Sequence, residues 1–424
     1  MTMAPLRTVR FAAAAMLLFA VTAYANDAPG NRGVWIDAYQ SSPADYDFVI
    51  PKEMKLPPET LQRLRDRPPV TGTLRMRFAV AAAGGQVRIR LSNEDGTAPL
   101  TIAAASVGLA ANGFDARPGS LRKLRFGGAV TITIAPGAPA LSDPVDLPVQ
   151  VRSELVVSVQ VPQGLKLKGF GNAAMAMGEG DQTLSAALSG ADTIVGRPPV
   201  SGVLVRTANP PRVIVALGDS ITDGNRPALG QLHGWPERLE QRVAASPARP
   251  ALAVINAGIG GNRVLSTSWG KAALARFDRD VARVQGVSHV ILLEGINDIG
   301  NGGASTMFGS NPPLDVNDLI AGYRQIIARA HAANIKVVMG TLTPFQGATS
   351  YNEAREGQRQ AVNRWIRSSG EPDAVIDFDK AVRDPAAPLK LRQAYDSGDH
   401  LHPSEAGYRA MGDSIDIGVF RRAR

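Results

Sequence analysis

The chain has no cysteine among its 424 residues. That excludes disulfide staples, a thiol nucleophile and thiolate metal sites, and leaves packing and hydrogen bonds to hold the fold. Aromatic residues are scarce at 5%, and Trp35, Tyr39, Tyr46 and Phe48 cluster ahead of the first clear strand pattern instead of repeating as a stacking platform. Histidine is limited to five positions, His233, His289, His331, His400 and His402, so any imidazole base must be found among them. Long apolar runs are missing too. The longest near the start, Phe11 to Ala20, falls short of the roughly 20 residues that cross a bilayer. It follows Arg7 and Arg10 and precedes Ala23-Tyr24-Ala25, the order of a charged n-region, an apolar h-region and a small-residue cleavage site. Residues 1–25 therefore read as a cleaved secretory signal peptide, which predicts a bacterial protein that is secreted or periplasmic, without stable membrane insertion.

The charge balance lacks a strong sign. The formal net charge of +8 includes Arg7 and Arg10, and the other basic residues are scattered (Arg63, Arg88, Arg206, Arg263, Arg392), with one small cluster at Arg421, Arg422 and Arg424. No basic stripe with interleaved aromatics is present, so a nucleic-acid partner is not expected. Neither a His-Glu-x-x-His helix nor an acidic calcium loop occurs, and Gly258-Ile259-Gly260-Gly261 lacks both the spacing and the Lys-Ser/Thr ending of a nucleotide loop. The expectation is chemistry without metal or cofactor.

What is present falls into two patterns. From Thr73 to about Val161 apolar residues alternate with period two: Leu74, Met76, Phe78 and Val80, then Val87, Ile89 and Leu91, then Val130, Ile132 and Ile134, then Leu155, Val157, Val159 and Val161. Turn residues separate them at Ala83-Gly84-Gly85, Asn93-Glu94-Asp95-Gly96 and Pro136-Gly137. This predicts half-buried antiparallel strands in a β-sandwich, jelly-roll-like, over residues 26–206. Gly33 to Tyr39 is a candidate first strand, Pro57 to Arg67 a short helix or ordered loop, and Gly169 to Gly190 a long loop or inter-domain surface. Beyond a seam near Thr207 to Pro211 the pattern changes. Apolar runs at Val213–Leu217, Leu252–Ile255, His289–Leu293, Lys336–Met339 and Ala374–Phe378 alternate with helical periodicity at Trp235–Ala245, Ala272–Val284, Val316–Ala333, Asn352–Ser368 and Glu405–Ile415. Alternating strands and helices predict a three-layer αβα domain with a parallel sheet over residues 207–424.

In such sheets, function gathers at the carboxyl ends of the strands. Gly218-Asp219-Ser220-Ile221, the segment Asn256 to Gly261 and Gly295-Ile296-Asn297-Asp298 each follow one of the first three strands. Ser220 is the candidate nucleophile, although a serine behind a strand is more often a helix cap. The same tetrapeptide recurs at Gly412-Asp413-Ser414-Ile415, where no strand precedes it, so Ser414 reads as an ordinary helix residue. His402 is the candidate base. It follows Asp399 by three residues, a spacing that lets the carboxylate hold one ring nitrogen while the other faces serine. His400 is the alternative, but it adjoins Asp399 and would have to curl back on it. His289 and His331 fall on regular elements and read as structural, and His233 as exposed. Backbone N–H groups of Ser220 and Gly261 and the Asn297 side-chain amide are candidate oxyanion donors; Asp298 reads as a brace for that loop.

These four blocks, in this order, resemble the SGNH (GDSL) hydrolase superfamily over about residues 211–420, with Ile221 in place of the leucine of the family name. Carried over by position, the resemblance implies a flavodoxin-like fold, a catalytic triad of Ser220, Asp399 and His402, and an oxyanion hole of Ser220, Gly261 and Asn297. The segments Ala275 to Asp280, Glu294 to Asn301 and Tyr395 to His400 are similar to secreted bacterial acylhydrolases, including arylesterases and xylan-associated esterases with a β-rich N-terminal extension. The implied activity is a secreted serine esterase that works through an acyl-enzyme on acetyl or aryl esters. The alternatives are a lysophospholipase or lipase, to which Met307 and Phe308 would lend an apolar approach, and a carbohydrate- or envelope-binding protein whose hydrolase half is inactive. The substrate classes left open are acetylated polysaccharide, aryl ester and lysophospholipid. The N-terminal strands read as a packing domain that borders the cleft.

Overall fold

The computed structural model describes residues 33–44, 69–165, 173–224, 233–306 and 309–422. The signal segment, the Pro57 to Arg67 stretch, Tyr46, Phe48, Met307 and Phe308 lie outside the described residues. The described residues belong to one compact unit. Among the described residues, no helix is long and apolar enough to cross a membrane.

The period-two segments form two antiparallel sheets. One runs Val34–Gln40, Val200–Thr207, Gly84–Ser92, with Pro139–Leu141 and Val145–Val149 both paired to Gly84–Ser92. The other runs Asp192–Gly196, Ala173–Gly178, Val70–Ala79, Glu154–Leu165, Ala104–Leu109, Arg122–Lys123. Their facing sides supply a core of Leu74, Met76, Val87, Ile89, Leu91, Leu155, Val157, Val159, Val203 and Val205, all at 1% exposure or less. The alternate residues depart from the expectation of a half-buried sheet. Thr73 and Arg75 are fully buried, because residues 179–186 fold over that face. Thr73 donates to the Gly180 carbonyl, and Arg75 donates to Ser158 Oγ and to the carbonyls of Gln182, Ser185 and Ala186. A buried guanidinium costs too much to persist without such acceptors. The expected loop from Gly169 to Gly190 is likewise corrected: Ala173–Gly178 is a strand, held by main-chain pairing to Val70–Ala79 despite its weak apolar pattern. Val130 falls outside its expected strand, which spans only Ile132–Ile134.

The second half contains a parallel sheet of β1 (Arg212–Gly218), β2 (Leu252–Gly258), β3 (Val287–Leu293), β4 (Lys336–Gly340) and β5 (Ala374–Ile376), in spatial order β2-β1-β3-β4-β5. This is the flavodoxin-like order, in which the chain reverses direction across the sheet between β1 and β3. Both faces are covered, so the strands are continuous apolar runs: Val213 to Leu217 are all at 0% exposure. Trp235–Ala244 packs on β2 and Val316–Ala332 on β4, Glu405–Ser414 packs on Trp235–Ala244, and Glu353–Ser368 buries Val362 and Ile366 together with Glu356, Arg359 and Asn363. One expected helix is not uniform. Ala273–Phe277 is α-helical, but Asp278–Ala282 continues as a π-helical turn, closed by Arg283 N–H donating to the Asp278 carbonyl. The last strand is shorter than expected because Asp377 caps a helix that begins at Phe378.

The two halves meet through specific polar contacts. Asp37 exchanges hydrogen bonds with the Gln285 backbone at 2.9 and 3.1 Å, Arg152 pairs with Glu240, and Arg197 pairs with Asp223 at 3.0 Å.

Candidate active site

At the carboxyl end of β1 the backbone turns sharply into a four-residue helix, Ser220–Asp223. Gly218 makes this turn possible: a Cβ there would sit 2.2 Å from Thr222 Oγ1 and 2.3 Å from the Leu293 carbonyl at the end of β3. Asp219 caps the helix by accepting from Ile221 N–H at 2.9 Å. Ser220 is thereby presented at the sheet edge as a half-buried residue.

Its partner arrives from the far end of the chain. Ser220 Oγ lies 2.7 Å from His402 Nε2, and His402 Nδ1 lies 2.6 Å from Asp399 Oδ2. The other Asp399 oxygen accepts from the backbone N–H groups of Leu401 and His402 and from Ser397 Oγ. Burial works against the charge of Asp399, but the bonds from the His402 ring and the two amides outweigh it and hold the carboxyl at about 2. An ionised Asp399 needs a donor, so Nδ1 carries the imidazole proton and Nε2 is left to accept from serine.

The neighbouring His400 is engaged elsewhere. Its Nδ1 lies 2.6 Å from Asp396 Oδ2, its backbone takes φ +62°, and its ring fills the space where a Cβ on Gly347 would stand. Two interleaved Asp–His pairs therefore share one loop, and only the second faces Ser220. The remaining histidines stay apart from this line: His289 is buried beside Ser288, His331 pairs with Asp373, and the His233 backbone donates to Glu237. Ser414 ends the helix Glu405–Ser414 and donates to the Met411 carbonyl.

The loop after β2 is pinned on both sides. Ile259 N–H donates to the Gly218 carbonyl at 3.0 Å, and Gly260 N–H to Asp223 at 3.2 Å. Gly261 takes φ +69°, and a Cβ on it would lie 2.0 Å from Trp269 Cδ1. The Asn297 side-chain amide donates to the carbonyl of Asn262, the residue after Gly261, at 3.0 Å. Asp298 spans the same loop from below, accepting from Val264 and Leu265 N–H. The segments that follow three separate strands thus form one hydrogen-bonded rim.

Beneath that rim lies a residue whose role sequence reasoning did not assign. Arg276 is fully buried and donates to the Gly218 carbonyl at 3.0 Å, the Ala257 carbonyl at 2.6 Å, Asn262 Oδ1 at 2.8 Å and Asp280 at 3.0 Å, with Glu294 3.6 Å away. The signal was there: Arg276 and Asp280 are spaced i,i+4 on the same side of their segment as Ala273, Phe277, Val281 and Val284, where apolar residues would be expected. Around this guanidinium, burial pushes Asp219 up to about 7 and Asp298 up to about 6. Burial, together with the nearby charge of Asp219, raises Glu294 well above the carboxylate range. Among the described residues, no group of three or more His, Cys, Asp or Glu side chains is arranged to hold a metal ion.

The comparisons with known proteins bear on the same segment that carries the Ser220–His402–Asp399 line. Residues 216–410 match the GDSL-like Lipase/Acylhydrolase family. Solved structures similar to the chain include a GDSL-like lipase from Bacteroides thetaiotaomicron, 20% identical over 50% of this chain and 91% of that one, with a TM-score of 0.36. A catalytic mutant of the acetylxylan esterase Axe2 from Geobacillus stearothermophilus is 22% identical over 51% and 99%, with a TM-score of 0.38. A member of the lipolytic G-D-S-L family from Veillonella parvula is 21% identical over 48% and 94%, with a TM-score of 0.34. No curated protein matches the chain.

Proposed function

We propose that this protein is a serine esterase that cleaves carboxylic esters through an acyl-enzyme, with Ser220 as nucleophile, His402 as general base and acid, and Asp399 as the group that orients the imidazole. The observation that carries the reading is the unbroken line from Ser220 Oγ to His402 Nε2 at 2.7 Å and from His402 Nδ1 to Asp399 at 2.6 Å. In the forward step Ser220 Oγ attacks the ester carbonyl while its proton passes to Nε2, and the imidazolium is stabilised by the ionised Asp399. Nε2 then returns the proton to the departing alcohol. Water repeats the sequence against the acyl-enzyme and releases the acid. Backbone N–H groups of Ser220 and Gly261 and the amide of Asn297 serve as oxyanion donors in this reading.

The substrate proposed is a short acyl ester, acetyl above all, carried on a sugar polymer or an aryl alcohol. The support is the openness of the site: His402 and Asp399 side chains are 28% and 52% exposed, which suits an ester displayed on the outside of a larger molecule. Residues 1–25 act as a secretion signal in this reading, and the strand-rich half, residues 26–206, packs beside the hydrolase half, residues 207–424. A matched panel tests the substrate: acetylated xylan, p-nitrophenyl esters of rising chain length, and lysophosphatidylcholine, each with wild type and Ser220→Ala. Activity confined to short acyl groups and lost in Ser220→Ala is expected. A strong preference for long-chain lipid would replace the proposal with a lysophospholipase.

A further inference from the structure

We infer that the N-terminal sandwich takes part in the acyl-transfer site, through a buried chain of ion pairs in which Asp95 and Arg279 are positioning residues for the oxyanion rim. The inference rests on the esterase reading above and goes beyond it by giving the sandwich a catalytic consequence. Asp95 lies in the sandwich turn Asn93-Glu94-Asp95-Gly96, closed by Gly96 N–H donating to the Asn93 carbonyl. Its side chain is nearly buried because it points at the hydrolase half, where Oδ2 accepts from Arg279 at 3.2 Å and Oδ1 lies 2.9 Å from Lys271 Nζ.

From Arg279 the chain runs inward. Arg279 Nε donates to Asp280 Oδ1 at 2.6 Å, Asp280 Oδ2 accepts from Arg276 at 3.0 Å, and Arg276 reaches the ends of the strands that carry all the candidate site blocks after β1, β2 and β3. It holds the Gly218 carbonyl two residues before Ser220. It also holds Asn262 Oδ1, and Asn262 is both the residue after Gly261 and the acceptor for Asn297. A second route leads from Asp95 to the same point: Lys271, its other partner, accepts the Asn262 side-chain amide on its backbone carbonyl at 2.9 Å. Two paths from one sandwich carboxylate therefore converge on Asn262. Arg279 and Asp280 lie on the π-helical turn Asp278–Ala282, Arg279 reaching Asp95 and Asp280 reaching Arg276, and π-turns within helices are frequent at functional sites. The sandwich adds another hold nearby, since Arg279 also donates to the Pro43 carbonyl and Gln40 to the Asp280 carbonyl.

A displaced rim misdirects donors that must meet the oxyanion within a few tenths of an ångström, so the loss falls on kcat and not on KM. The test is kcat and KM for p-nitrophenyl acetate, per active site titrated with a fluorophosphonate, in Asp95→Asn and Arg279→Met, with Glu371→Gln as control, since Glu371 pairs with Arg324 at 2.7 Å on the surface and takes no part in this chain. The expected result is a fall in kcat on the order of 10- to 100-fold with KM unchanged, no change in the control, and a smaller fall when Asn297→Ala is already present, since both changes act on one rim. Full kcat per titrated site in both variants, or losses that add in full to that of Asn297→Ala, would overturn the inference. Should Arg279→Met fail to fold, Asp95→Asn at the sandwich turn decides alone. Activity retained in Ser220→Ala would remove the esterase reading itself, a different outcome from a silent Asp95→Asn.

Discussion

Replacing Gly261 with alanine sets a geometric demand against a catalytic one at a single atom. The residue takes φ +69°, where an L side chain costs about 1–2 kcal/mol. Its new Cβ would also lie 2.0 Å from Trp269 Cδ1, 2.8 Å from Nε1 and 3.0 Å from Cγ, so either the indole swings away from Ala44 and Ile259, against which it packs, or the loop retreats. Overpacking of this kind costs about 1–3 kcal/mol. Together the two give about 2–5 kcal/mol of lost stability, read from urea midpoints. If the loop retreats, the Gly261 N–H leaves the rim, and losing one oxyanion donor lowers kcat by about 10²–10³. The steric part can be isolated, because the clash exists only when both side chains are present: a double-mutant cycle of Gly261→Ala with Trp269→Ala should show a coupling of about 1–3 kcal/mol. Wild-type kcat in a folded Gly261→Ala protein whose Trp269 fluorescence is unchanged, so that the loop and not the indole has moved, would refute the assignment of Gly261 as a donor, and a cycle that adds without coupling would refute the steric argument.

Two further predictions concern carboxylates. Burial raises Asp219 to about 7 from 3.8, so between about pH 4 and pH 7 the folded state holds a proton the unfolded state has lost, and stability falls as pH rises through that window. Asp219→Asn keeps an acceptor for Ile221 N–H without titrating, and its stability should decline less steeply between about pH 4 and pH 7, by up to about 1.4 kcal/mol per pH unit; an unchanged slope would contradict it. Asp399 behaves oppositely. Its carboxyl is held at about 2, so its contribution is present above about pH 4 and is lost as pH falls toward 2. Urea midpoints of wild type and Asp399→Asn should differ at neutral pH and converge below pH 3, while kcat of the variant falls by about 10³–10⁴ with KM little changed. A variant with wild-type kcat would remove Asp399 from the mechanism.

Fold class was legible because both halves obey simple periods. Val213 to Leu217 read as a strand buried on two faces and is one, and Leu74, Met76 and Phe78 read as one core-facing set and are one. Where the reading missed, a long-range contact had overridden local pattern. Ala173–Gly178 carries little strand signal, yet pairing with both Val70–Ala79 and Asp192–Gly196 makes it a strand. Arg75 alternates like a surface residue but lies beneath residues 179–186, which supply the carbonyls it needs. At the site, the meeting of Ser220, His402 and Asp399 could be anticipated because each sits in a loop beside a regular element. The separation of His400 from His402 depends on φ +62° at His400 and on Asp396, a partner four residues back. Arg276 was harder still. Its motif was visible, but its acceptors come from the ends of β1 and β2 and from Asn262, and only the folded sheet brings those together.

The central claim is that one serine, Ser220, is made nucleophilic by His402. Its most direct test is to treat the protein with a fluorophosphonate, record the intact mass, and map the modified peptide, in wild type, Ser220→Ala, His402→Ala and Ser414→Ala. One phosphonyl group per chain on Ser220 is expected in wild type and Ser414→Ala, with none in Ser220→Ala and greatly slowed labelling in His402→Ala. Labelling of Ser414 or any other serine, or full-rate labelling of Ser220 without His402, would contradict it.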